Sequence, residues 1–199
     1  MTIALARLYN RSGDFPKAEG VLSAQLRADQ ASIAVGTAMA QQYLATGSAQ
    51  DAKKLFAHLV ARQPNDVVAL LGLTKVATTQ RNWPEAVDCI NRAHAFGPND
   101  PGPGLALINL EVLRRDWKSV VTAATQVAEQ FPANTDILDA KGRAQIASGD
   151  TAGAIATYKR IYDPSPSSIA AMEAYVTLLS GTKEFSTART VLQDAKNDR

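Results

Sequence analysis

Two histidines, one cysteine and a pair of glycines are the residues through which this 199-residue chain could do metal, covalent or phosphate chemistry. His58 and His94 stand apart from any cysteine or carboxylate at metal-ligand spacing, so both read as surface or half-buried helix residues. Cys89 lies among Val87, Ile90 and Ala93, the setting of a small apolar core residue rather than of an activated thiolate. Gly97 and Gly102 copy the outer spacing of a phosphate-binding loop, but Pro103 stands where that loop needs lysine and no strand precedes it. Serine, aspartate and histidine occur without an arrangement of nucleophile, base and orienting group. The chain is therefore read as no enzyme, with no cofactor and no metal.

Recognition chemistry is better supplied. Arg7, Gln41, Lys75, Asn109, Arg143 and Thr177 recur at one constant interval, polar in each case and never acidic. Such a row offers hydrogen-bond donors to backbone carbonyls, carboxylates or sugar hydroxyls. It also has the bland explanation of a solvated helix face. Near its middle, Val68, Leu71, Leu105 and Val112 are apolar, whereas Asp136, Asp139 and Glu173 make the C-terminal part acidic. The ligand expected is amphipathic, a peptide or protein element. For these residues to act together, a repeating scaffold must line them up.

Composition allows one. With 46% hydrophobic residues, 20% charged, a formal net charge of +2 and one cysteine, the chain can bury a core without disulfides. Aromatic content of 6% beside abundant alanine favours closely packed helices over a β-sandwich. The small net charge argues against a dedicated nucleic-acid binder, although a pI near 8.7 leaves room for a local basic stripe. Arg7 interrupts any export signal, and the uncharged stretch from Gln30 to Gln50 is too polar for a membrane span. No membrane insertion is expected.

Pro64, Pro98, Pro132 and Pro166 are evenly spaced at that same interval, and two residues after each comes Asp66, Asp100, Asn134 or Ser168, with Ser32 in the same register. All five can accept hydrogen bonds from the free N–H groups of a first helical turn. Half a unit later run Asp14, Ser48, Asn82, Asp116, Asp150 and Glu184, so each unit holds two helices. The turn before this second cap carries Gly13, Gly47 and Gly149 in three units and Arg81, Arg115 and Lys183 in the others. Glycine ends a helix in the left-handed conformation, and cations suit its negative end. Ala18, Ala52, Ala86, Val120, Ala154 and Ala188 form a small column where helices must approach closely. Leu22, Phe56, Ile90, Tyr158 and Leu192 follow four residues on, with Ala124 the exception. The first helices present Leu5, Met39, Leu73, Leu107 and Tyr175 to them. One such pair cannot bury its apolar face alone, so successive pairs must stack.

On these residues the chain resembles the tetratricopeptide repeat (TPR) family, most closely in Leu5-Ala6-Arg7-Leu8-Tyr9 through Ala18 and in Ala40-Gln41-Gln42-Tyr43 through Ala52. The resemblance implies an all-α, right-handed α-solenoid of about six 34-residue helix-turn-helix repeats, at about 1–32, 33–66, 67–100, 101–134, 135–168 and 169–199. It further implies a non-catalytic scaffold that binds its partner in a concave groove lined by the first helices. There Arg7, Lys75, Asn109 and Arg143 would confer specificity, Gln41 would line the groove with them, and the central apolar patch with Leu71 and Leu105 would supply affinity. Lysine is missing four residues before the polar row, which argues against the carboxylate-gripping TPR subtype; alanine or glycine fills the column that holds asparagine in glycosyltransferase TPRs.

Several expectations remain particular. Glu111, Lys141 and Gln145 stand at core positions of units four and five, so Glu111 and Lys141 either pair across repeats or are turned outward by a local twist. The glycine- and proline-rich segment 97–104 should delay or loosen the fourth unit's first helix. Phe15, Trp83, Trp117 and Phe185 should seal the starts of second helices. Both chain ends read as unfinished, implying an excerpt of a longer array and self-association through exposed ends. The alanine-rich texture is similar to bacterial TPR arrays of exopolysaccharide assembly and secretion, which would place the chain in the periplasm or envelope. A polyanion or nucleic-acid binder using the basic row is the remaining alternative.

Overall fold

In the computed structural model, which describes residues 1–28, 32–163 and 169–197, every regular element is an α-helix. The first helices of the pairs are α1 (Thr2–Arg11), α3 (Ile33–Ala45), α5 (Val67–Thr79), α7 (Pro101–Arg114), α9 (Thr135–Ser148) and α11 (Ile169–Gly181). The second helices are α2 (Phe15–Ala28), α4 (Ala49–Arg62), α6 (Trp83–Phe96), α8 (Trp117–Gln130), α10 (Thr151–Tyr162) and α12 (Phe185–Asn197). From α3 onward the first helices start at the same even interval as the prolines, and so do the second helices from α2. Pro166 and Ser168, expected to punctuate the last unit, lie outside the described residues.

The caps explain this regularity. Ser32 accepts from the amide of Val35, Asp66 from Ala69, Asp100 from Gly102 at 2.8 Å, and Asn134 from Asp136 and Ile137. At the second helices Asp14, Asn82, Asp116 and Asp150 do the same for Lys17, Glu85, Ser119 and Gly153, whereas the Ser48 side chain makes no cap bond. Each such oxygen satisfies an amide that the helix itself leaves free. The turn between paired helices corrects the sequence expectation. Glycine and cation are not alternative solutions, because Arg81, Arg115 and Lys183 have φ of 56°, 58° and 65°, the same left-handed region as Gly13, Gly47 and Gly149. Segment 97–104 does not delay its helix either. Asp100 caps it, Pro101 opens it, and proline's missing N–H costs nothing in a first turn.

The chain forms two compact units, Met1–Ala106 and Leu107–Arg199, the division falling inside α7. In the first unit, Thr2 Oγ1 donates to Gln25 at 3.1 Å and Gln42 Nε2 to the Phe15 carbonyl at 3.5 Å, so α2 runs antiparallel to both α1 and α3. Ala18, Ala52 and Ala86 are fully buried, as the small column requires, and Leu22, Phe56 and Ile90 pack one turn further on. Gly72 on α5 lies so close to Phe56 that a Cβ there would run into the ring. Lys53 of α4 is bonded to Glu85 of α6 at 2.7 Å, and Glu85 also accepts from Asn82. Leu5 is 39% exposed on α1.

In the second unit Val120, Ala124, Ala154, Tyr158, Tyr175, Leu179 and Ala188 are buried, and Tyr162 stacks at a tilt 6.1 Å from Tyr175 while donating to the Val191 carbonyl. Leu192, expected in the core, is 50% exposed. Glu111 and Lys141 do not pair. Glu111, only 9% exposed, bonds Arg114 at 3.1 Å one turn along its own helix, a reach that i,i+3 geometry supplies, and Lys141 is half-buried. Gln145 is buried and satisfied by accepting from Thr157 at 2.7 Å and donating to Asp150 at 3.0 Å. The aromatic row is uneven: Trp83 and Trp117 are half-buried, but Phe15 and Phe185 are exposed.

Candidate functional site

The helical period decides which first-helix side chains meet solvent. Positions two away from the buried Met39 and Leu73 rotate outward, and there Gln41 and Lys75 are exposed, as is Arg7 on α1. In the first unit, Val68, Leu71 and Lys75 form one stripe of α5 at i, i+3 and i+7. Val68 is 52% exposed and Leu71 half-buried. Leu71 reaches α7, since a Cβ on Gly102 would stand 2.9 Å from its Cδ1, and Leu105 follows Gly102 by one turn, half-buried. Accessible apolar side chains thus stand along α5 on the same stripe as Lys75. Lys17, Lys53, Lys54 and Arg92 of this unit are ion-paired, and neither Arg7 nor Lys75 has an acidic partner among the described residues.

The second unit treats its part of the row differently. Asn109, Arg143 and Thr177 are all exposed. Arg143, however, is held by Asp139 one turn earlier, and the Tyr158 hydroxyl donates to the other carboxylate oxygen at 3.1 Å. Burial, with the Asp139 charge alongside, pushes Tyr158 up to about 12. The hydrogen bond to Asp139 likewise raises Arg143 above its ordinary value. Asp136 and Glu173 are exposed. Arg143 is thus ion-paired where Lys75 is not, a difference invisible in the row itself.

Among the described residues, no group of three or more histidine, cysteine or acidic side chains is arranged to hold a metal ion, and His58 and His94 are exposed. Burial raises the Cys89 thiol, the direction opposite to activation. No described helix is long and apolar enough to cross a membrane. One concavity escaped the sequence: an open cleft over α3, between α2 and α4, lined by Leu26, Met39, Tyr43, Leu55 and Leu59. Its signal would have been Gly36, a glycine inside a helix with no turn to make.

The tetratricopeptide repeat family model matches residues 37–101 and 105–169. No curated protein matches the sequence. Similar solved structures include TTC0263, a thermophilic TPR protein of Thermus thermophilus, with 16% identity, 89% of this chain and 97% of that one covered, and a TM-score of 0.71. Yeast Tom70 aligns at 13% identity over 98% of this chain and 42% of its own, with a TM-score of 0.82. YrrB, described as a TPR protein with an unusual peptide-binding site, aligns at 13% identity over 88% of this chain and 91% of its own, with a TM-score of 0.57. At such identities the likeness is one of fold. With its evenly repeated helix pairs and a family match over most of its length, the chain belongs to the tetratricopeptide repeat family.

Proposed function

We propose that this chain is a non-catalytic scaffold that takes a peptide or protein element on the exposed face of its first helices. Tetratricopeptide repeats generally mediate protein–protein interaction, and the similarity to YrrB adds a peptide-binding precedent within the fold. The observation that carries the proposal is Lys75: a cation without an acidic partner among the described residues, on the same helix stripe as the accessible apolar pair Val68 and Leu71, with Leu105 one turn beyond the Gly102 that Leu71 approaches. An extended segment with an apolar anchor and a carboxylate or free carbonyl fits this combination. Gln41 and Arg7 extend the donor row on α3 and α1; Asn109 and Arg143 offer donors in the second unit.

Peptides selected from a displayed library against the intact chain test it. Lys75→Ala should weaken the selected peptides roughly tenfold, the size of one hydrogen bond to a charged group, with helicity unchanged. Leu71→Ser should weaken them further, and Arg143→Ala should matter less because Asp139 already holds that guanidinium. Equal binding by the Lys75→Ala, Leu71→Ser double variant overturns the assignment. Binding that survives Leu71→Ser and collapses with salt would instead favour a polyanion ligand.

A further inference from the structure

The cleft over α3 has a volume of about 550 Å³, within the range of roughly 300–1,000 Å³ that ligand sites occupy. Its floor is apolar. Met39 and Tyr43 rise from α3, Leu26 leans in from α2, and Leu55 and Leu59 from α4. Gly36 lets Leu59 settle against α3 at one end, because a Cβ there would stand 3.0 Å from Leu59 Cδ2. On α3 the lining runs from Ser32 to Tyr43 at i, i+4, i+7 and i+11, and at about 1.5 Å per residue that is a trough of about 16 Å, three helical turns long.

The two ends of the trough differ in charge. Because α3 is antiparallel to its neighbours, Arg27 of α2 and His58 of α4 share the end marked by Ser32 and Gly36, and Asp51 and Lys54 share the end marked by Tyr43. Lys54 and Asp51 lie 3.5 Å apart and neutralise one another. Arg27 has no acidic partner among the described residues, and neither has His58. The Glu19 charge also reaches Tyr43 at the opposite end, so the trough is mildly acidic there, apolar along its floor and an anion acceptor at the end of Arg27 and His58.

We infer that this cleft docks an amphipathic helix of a partner protein, apolar at i, i+4 and i+7 and carrying carboxylates at the end that meets Arg27 and His58. A helix suits the length and the flanking walls, since a trough between two helices presents grooves into which the ridges of a third can pack. A single acyl chain would follow the floor but supply no ridges for the grooves along α2 and α4. The walls of this surface are second helices, separate from the stripe of Lys75 and Leu71, so the chain would hold two partners or two segments of one.

The probe is a fluorescein-labelled alanine-based peptide of about fourteen residues, long enough for three turns, with leucines at i, i+4 and i+7 and glutamates beyond the last leucine. Anisotropy is read against the full chain. Arg27→Glu with His58→Glu should weaken binding at least about tenfold, and a lysine-ended peptide should bind that variant better than the wild type. Ser23→Trp, which fills the cleft from its α2 wall, should abolish binding with unchanged circular dichroism; Lys75→Ala should leave it intact. Loss through Lys75→Ala alone would assign the peptide to the first-helix face and overturn the inference without touching the proposed function. The same follows from equal binding of a peptide with scrambled leucines, from indifference to the Arg27 and His58 changes, or from no binding to about 1 mM. A dodecanoate that binds through Arg27 where the peptide does not would make the cleft an amphiphile site and equally overturn it.

Discussion

Tyr158 joins three roles that a row of letters keeps apart: core residue of α10, neighbour of Gly142 on α9, and hydrogen-bond donor to Asp139. The phenol is neutral in that setting, and ionising it would place a second negative charge beside the carboxylate. Its folded value of about 12 lies above the ordinary 10.0, so the unfolded chain gives up the proton first. The associated stability is complete below pH 10 and is lost as pH rises towards 12. Urea melts of the wild type should accordingly show a larger loss between these limits than melts of Tyr158→Phe, which cannot ionise there. Equal losses would mean that Tyr158 titrates as it does in the unfolded chain. Glu111 shows what stays hidden at this scale. Its position announced a buried charge, but its partner, Arg114, depends on which rotamer reaches back along α7, and spacing alone does not fix that.

At the scale of elements, the starts of helices were legible because N-caps are local: one oxygen three residues before a free amide is written directly in the chain. Ends were less so. Arg81, Arg115 and Lys183 looked like electrostatic terminators, yet each repeats the backbone of Gly13, Gly47 and Gly149 with a side chain attached. The next residue's amide returns to a carbonyl five residues back, as Asn82 does to Ala77 at 2.8 Å and Asp150 does to Gln145 at 2.8 Å, which forces the left-handed φ whatever the residue. For an L side chain that conformation costs on the order of 1–2 kcal/mol, partly offset by glycine's larger unfolded-state entropy. Arg81→Gly should therefore stabilise the chain by about 0.5–1 kcal/mol, and Gly149→Ala should destabilise it by a similar amount. Both are read as shifts in denaturation midpoint at constant slope, and a loss on Arg81→Gly would mean that its charge at the end of α5 outweighs the strain.

For the whole molecule, the repeat period was legible and the site only in part. A constant period fixes which column faces a neighbouring helix, because packing partners recur with it. It places Lys75 and Arg143 in the same column and cannot say that Asp139 has claimed one of them, nor that α2 and α4 stand far enough apart over Gly36 to leave a cleft. Those facts depend on what each repeat does differently, and repetition averages such differences away. The same logic governs stability. Within each unit the described helices meet chiefly those next to them in sequence, with α3 and α5 also in contact, so destabilisation should spread by nearest neighbours. Gly72→Ala provides the perturbation. Alanine gains about 1 kcal/mol of helix propensity over glycine, but the fully buried Phe56 ring occupies the place of the new methyl, and overpacking costs roughly 1–3 kcal/mol. Hydrogen exchange should then quicken in α4 and α5, less in α3 and α6, and least in α11 and α12. A uniform increase from α1 to α12 would contradict this, because it would require the chain to open as one cooperative body in which distance from the altered residue no longer matters.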